Sequence, residues 1–421
     1  MPEPTGCHCR TQVVFVLIAL VALSVYWASS FFLVARDGTL HFHVDTWLYS
    51  ELSEPDLFDR ILPDSQLARI LRFHPVTVVL AAGWMKIVSP LTVWFTPASL
   101  LKALFAAIGA LGVWASLWAF ATLLPRRHAL LWGIIYASSL GIWYFSSIEE
   151  SKIVTATLSA LYMATYLRMR EKWTLDGAAL LTAILFIACL NEIVAAFLIA
   201  IPLVDKMVRE RWEVLKRWWI VAHAMVAIFA LALLEGVMRS WSSVVGTHPE
   251  GANHISMFIW YASQTKFTLD EVYYFLATWL FFNIAAPERY AYHWADFSIN
   301  FGGIFMPGLA NYLASPLSAV LVALFGVLLA VIILLRKKIE IVPNVSAIML
   351  ALLAYALVRA AFFFVFNAKE NMLFSPSATL AHLLLLALPF AATSLPERAK
   401  LTLLGLLAAL LFINNGLFIV G

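Results

Sequence analysis

His74-Pro75-Val76-Thr77-Val78-Val79-Leu80-Ala81-Ala82-Gly83-Trp84-Met85-Lys86-Ile87-Val88-Ser89-Pro90 is the stretch on which the reading of this chain turns. It is apolar, yet a lysine interrupts it and a proline stands at each end. Proline suits the first helical turn, where its missing amide would have no intrahelical partner. Pro75 therefore predicts a helix start, and the question is whether that helix crosses a bilayer or lies along its surface. The charges between the other apolar runs decide. Those runs lie at about 12–34, 98–124, 129–147, 152–169, 175–190, 193–205, 218–238, 314–335, 343–366, 373–393 and 399–420. If 74–90 lies in the interface, Arg10, Arg126-Arg127, Arg168-Met169-Arg170, the 205–217 loop, Arg336-Lys337-Lys338 and Arg398/Lys400 all fall on one side. That side holds 16 basic and eight acidic residues, net +8; the remaining 12 basic and 17 acidic residues net −5. Positively charged short loops stay cytoplasmic, so the acidic loops face outward and 74–90 is read as interfacial.

Composition agrees. Of 421 residues, 62% are hydrophobic and 13% charged, and mean hydropathy is +0.87. A soluble domain carries about 25% charged residues, so a soluble enzyme, a disordered chain and a nucleic-acid binder are all excluded. Apolar runs of about 20 residues match the hydrocarbon thickness of a bilayer. The fold class is thus an all-α polytopic membrane protein with about 11 transmembrane helices, forming a single integral membrane domain over 1–421. Residues 1–11 form a cytoplasmic tail, 35–97 a first outward loop, 239–313 a second large outward loop and 314–421 the C-terminal helices. The first run is too long for a signal peptide and lacks a clear cleavage site, so it reads as an uncleaved span. Within the second loop, 271–286 is too short for a comfortable crossing and reads as a surface or re-entrant helix. The 175–205 run, broken by Asn191 and Glu192, reads as a helical hairpin with a very short turn. Three cysteines, Cys7, Cys9 and Cys189, make no disulfide framework.

Ionisable side chains near a membrane are costly and raise a functional question. The first outward loop reads His41-Phe42-His43-Val44-Asp45-Thr46-Trp47-Leu48-Tyr49. Tyr49 stands four residues after Asp45, on the same helical face; alternatively Asp45 caps a helix or is solvated. Downstream, Arg72 and His74 stand beside the predicted helix start, where free amides favour an anion; lipid headgroups are an alternative partner for Arg72. Glu149-Glu150-Ser151-Lys152 is either a charged site or an ordinary solvated turn. In the later loops, Arg289 and His293 stand four apart among aromatics, and Lys369-Glu370 occupies a short turn, as a site element or a surface ion pair. Arg359 lies inside a span, so it faces a cavity or pairs with an acid. His223 and His382 read as packing or helix-bonding histidines.

Asp45-x-x-x-Tyr49, a polar loop, His74-Pro75, an apolar helix and then a long span resemble the first outward loop of the GT-C glycosyltransferases. The likeness is to the protein mannosyltransferases that use dolichyl-phosphate-mannose and to the bacterial aminoarabinose–lipid A transferases. It spans roughly the first 170 residues, and departs where Thr46 stands in place of a frequent Glu, Val76 in place of a second Pro, and Phe73 where some members carry a second acid. The resemblance implies a GT-C-like fold with two juxtamembrane helices in the first outward loop. It implies an enzyme taking a sugar from a polyprenyl-phosphate donor and passing it to an acceptor hydroxyl on a glycan, lipid or protein, with inversion. Asp45 would be the catalytic base. His74, Lys369, Arg72, Arg289, Tyr49, Glu149, Glu150, Lys152, His293 and Glu370 would form the donor phosphate and sugar site. Neither metal nor cofactor is required, since Lys or Arg can hold the departing phosphate. The site would face outward from a multi-pass plasma membrane protein, as in a bacterial inner membrane. The alternative function is a transporter or flippase for a lipid-linked saccharide precursor.

Overall fold

The computed structural model describes residues 5–34, 51–53, 74–211, 218–241, 258–259, 262–263, 268–287, 309–335, 345–367 and 371–420. Among these there is helix and no β-strand. The principal helices are α1 (Thr5–Val34), α2 (Pro75–Val88), α3 (Pro97–Leu123), α4 (Arg126–Ser138), α5 (Leu140–Ser146), α6 (Lys152–Met169), α7 (Leu175–Asn191) and α8 (Ala200–Glu210). They continue with α9 (Trp218–Trp241), α10 (Leu269–Ala277), α11 (Pro316–Leu335), α12 (Val345–Asn367), α13 (Thr379–Ala391) and α14 (Glu397–Val420). Prolines open α2 and α3, and the Thr96 and Thr174 hydroxyls accept the Ser99 and Gly177 amides to cap α3 and α7.

Seven helices among the described residues are long and apolar enough to cross a membrane, eight if α4 and α5 form one bent span. The expected figure of about 11 therefore also counts shorter helices such as Leu175–Asn191 and Val221–Gly236. The seven include Pro75–Val93 by length and composition. Yet the first turn of α2 bonds Asn191 at the end of α7, and Trp84 Nε1 donates to the Leu100 carbonyl in the first turn of α3 at 2.7 Å. Both ends of α2 thus meet the same end of the bundle, the one that carries Glu149.

At the other end, Arg170 donates two hydrogen bonds of 2.8 Å to Asp205, Tyr166 gives Asp205 a third at 2.6 Å, and Arg209 meets Glu171 at 2.9 Å. These contacts return the chain after α7 to where it began. The 175–205 run is a hairpin: α7 ends at Asn191, Ile193–Ile199 comes back as a 3₁₀ turn, and α8 completes the limb. Backbone amides and carbonyls in lipid must be satisfied internally, and this tight reversal exposes few of them.

The helix over 126–146 bends by 58° at Ser139. The cause is an inserted segment. Leu140 and Gly141 donate their amides to Ile284 and Asn283 carbonyls at 3.0 and 2.8 Å rather than to their own helix. Asn415 holds the joint from α14: its Nδ2 donates to Ser138 O and Ile284 O at 2.7 and 2.8 Å, and its Oδ1 accepts the Ala286 amide at 2.8 Å. Gly141 is needed here, because a Cβ would collide with Asn283 Oδ1. The segment 269–282 enters as α10 and a π-helical turn, Thr278–Phe282, burying Phe275, Trp279 and Phe282. That matches a re-entrant piece better than one lying on the surface.

The Arg170–Asp205 pair is almost fully buried, at 2% and 0% side-chain exposure. Removing one partner strands the other, so Asp205→Ala is expected to destabilise the fold by about 3–5 kcal/mol. Thermal unfolding of the full chain in neutral detergent checks this; an unchanged midpoint would show that the pair is not holding the hairpin.

Candidate functional site

A polar chamber occupies the Glu149 end. Asn191, fully buried, stands at its centre. Its Oδ1 accepts the Thr77 amide and hydroxyl at 3.1 and 2.8 Å, its Nδ2 donates to the Thr155 hydroxyl at 3.0 Å, and its backbone carbonyl lies 2.6 Å from His74 Nδ1. One residue therefore joins the starts of α2 and α6 to the end of α7. Its carbonyl is free because the α-helix stops there: Glu192 turns extended, with φ −154° and ψ 111°.

Charged side chains surround this joint. Lys102 Nζ lies 3.7 Å from Glu149 Oε1. The Glu150 carboxylate accepts the Ser151 amide at 2.8 Å, at the start of α6, where the helix dipole favours an anion. Arg359, wholly buried in α12, meets Glu192 at 2.9 Å, and its guanidinium lies 5.0 Å from the centre of the Phe363 ring. Phe363 stacks on Phe374 at 4.1 Å, and Lys152 Nζ lies over the other aromatic partner, 4.6 Å from the Phe374 centroid. Glu192 feels the charges of Arg359, Lys152 and His74 together. Lys152 is 7% exposed. Among the described residues its ammonium donates no hydrogen bond and meets no carboxylate within 4 Å.

Of the sequence-predicted site residues, His74, Glu149, Glu150 and Lys152 converge on this chamber. The solvated-turn alternative for Glu149–Lys152 is excluded, since all three charged groups are buried. Asp45, Tyr49, Arg72, Arg289, His293, Lys369 and Glu370 lie outside the described residues. Sequence reasoning took Asn191 and Glu192 for a mere turn and passed over Lys102. Two polar residues breaking a 30-residue apolar run were the available signal; nothing marks Lys102 except a charge one turn into an apolar helix. Arg359 has the acid partner that its cost in a span demanded. His223 Nδ1 bonds the Trp219 carbonyl of its own helix at 2.9 Å, and His382 packs edge-on against Trp279.

Burial pushes the Glu149 carboxyl above the ordinary carboxylate range, against the pull of Lys102. The folded chain therefore keeps that proton to a higher pH than the unfolded chain does.

No protein-family model and no curated protein matches the chain. Among solved structures it is similar to the crystal structure of ArnT from Cupriavidus metallidurans in the apo state, at 14% identity. The likeness covers 90% of this chain and 77% of that one, with a TM-score of 0.42. At that identity and score the likeness carries no functional weight, so the reading of the site rests on its own residues.

Two predictions follow from the chamber's geometry. Asn191→Ala strands a buried Thr77 amide and the Thr155 hydroxyl, and is expected to cost about 2–3 kcal/mol, read as a lowered unfolding midpoint. Because the native Glu149 pKa is raised, its contribution to stability is full at low pH and is lost as pH climbs from the ordinary carboxylate range through the native value. Glu149→Gln should therefore gain stability relative to the parent as pH rises across that window; parallel pH profiles would contradict it.

Proposed function

We propose that the chain is a membrane glycosyltransferase of GT-C type, which moves a sugar from a polyprenyl phosphate to an acceptor hydroxyl at the Glu149 end of the bundle. The observation that carries this reading is Lys152: a buried ammonium that, among the described residues, has no carboxylate within 4 Å, beside the Lys102–Glu149 and Arg359–Glu192 pairs. A buried unpaired charge is expensive, and a ligand phosphate would supply the missing partner. Arg359 stands close behind but is already engaged by Glu192, so it tunes the field more than it offers a free contact.

Asp45, from the first outward loop, acts in this reading as the base. It takes the proton of the acceptor hydroxyl, which requires an approach of about 2.6–3.2 Å. The hydroxyl oxygen attacks the anomeric carbon on the face opposite the phosphate, the bond from that carbon to the phosphate oxygen breaks, and configuration inverts. The electron pair leaves with the lipid phosphate. Lys152 holds that charge as it develops, with His74 and, from the loops, Lys369, Arg72 and Arg289. Tyr49, Glu149, Glu150, Glu370 and His293 serve the sugar and the phosphate through hydrogen bonds. The donor's chain lies in the membrane, α2 lies in the interface, and the acidic face of the protein is the extracytoplasmic one.

The test is release of free polyprenyl phosphate from a labelled polyprenyl-phosphate sugar by the purified full chain. Lys152→Met is expected to lower that rate by about 10²–10³-fold, with Lys152→Arg restoring part of it. Asp45→Asn should lose transfer without a change in the unfolding midpoint. Movement of intact donor across vesicles with no bond cleavage would replace the transferase by a flippase, and full activity of Lys152→Met would remove the phosphate assignment.

A further inference from the structure

The opposite end of the bundle carries an arrangement that transfer chemistry does not use. His128 Nε2 and Glu397 Oε1 lie 2.9 Å apart, across 269 residues of sequence, and so bring the first turns of α4 and α14 side by side. Arg126 and Arg127 open the first of these turns and Arg398 stands in the second. All three are exposed. Among the described residues none of them has a hydrogen-bond or ion-pair partner. Glu397, the carboxylate in their midst, is engaged by His128. Three exposed arginines thus stand in two adjacent first helical turns, where helix N-termini also present free amides, and an anion would relieve both.

The helices below that cluster form a slot. Ile134, Ala137 and Ser138 of α4, with Val14 and Val21 of α1 and Phe412 of α14, line a groove of ≈ 330 Å³. Arg127, Ile134 and Ser138 follow at i, i+7 and i+11, so they share one helical face. Ile134 begins about 12 Å along the helix from Arg126 at 1.5 Å per residue. Arg398 and Phe412 are about four turns apart on α14, again on nearly one face. The cationic cluster and the apolar slot are therefore stacked along the same two helices, charge at the membrane surface and grease beneath it.

We propose that this is a site for an anionic phospholipid: its phosphate between Arg126, Arg127 and Arg398, and one acyl chain in the groove beside α1. A basic pocket between transmembrane helices at the positively charged face suits such a headgroup. A zwitterionic lipid brings its own cation and gains less. The proposal is independent of the transferase reading.

The test uses the full chain purified in neutral detergent. Native mass spectrometry counts retained lipid, and thermal unfolding is followed with added dioleoylphosphatidylglycerol, dioleoylphosphatidylcholine or inorganic phosphate. Phosphatidylglycerol is expected to be retained and to raise the unfolding midpoint; phosphatidylcholine and inorganic phosphate should raise it less than half as much. Arg126→Gln/Arg127→Gln/Arg398→Gln should lose at least half of the rise and of the retained lipid. If that triple variant does not fold, Arg126→Gln and Arg398→Gln singly should each lower retention. Equal retention in parent and variants overturns the proposal. So does an equal shift with phosphatidylcholine or with inorganic phosphate.

Discussion

Asn191 holds the Glu149 end together, and the chamber depends on it. In a chain surrounded by lipid, every polar group taken from water needs a partner within the protein. A helix that stops inside such a bundle leaves carbonyls unmet. Here the stop is followed at once by the acid Glu192, and Asn191 turns the loose end into a junction. Its side chain accepts from the start of α2 and donates to α6, and its freed carbonyl meets His74. That junction fixes the start of α2 at the bundle end, while Trp84 ties the helix to α3 further along.

The charges themselves divide by function. Lys102 with Glu149, and Arg359 with Glu192, are matched, which is what burial requires. Lys152 rests on the face of Phe374 and, among the described residues, has no carboxylate within 4 Å. An aromatic face stabilises a cation by its quadrupole but leaves the ammonium able to take a phosphate oxygen. The pairing at the far end is different in kind. Arg170, Asp205, Tyr166, Arg209 and Glu171 form a closed network whose members satisfy one another. That network stitches the hairpin to the end of α6.

Local signals were legible before any coordinates. Pro75 starts a helix, the run to 205 doubles back at Asn191, and Arg359 finds an acid, each because the cost of the alternative is written in residue type. Glu149–Lys152 stood out as a charged break, though not as a buried one, since burial depends on Lys102 and Asn191, which lie 47 and 40 or so residues away in the chain. The bend at Ser139 was invisible. It depends on residues 283–286 inserting between helices and on Asn415, and such long-range pairings leave no periodicity to read. The same holds for the meeting of His128 with Glu397.

The account stands or falls on where a lipid phosphate binds. The direct measurement is an electron cryo-microscopy map of the full chain with added polyprenyl phosphate. The account predicts phosphate density within hydrogen-bond reach of Lys152 Nζ, between α6 and Phe374. A bound polyprenyl phosphate whose headgroup lies at the Arg126 end, or anywhere out of reach of Lys152, would contradict it.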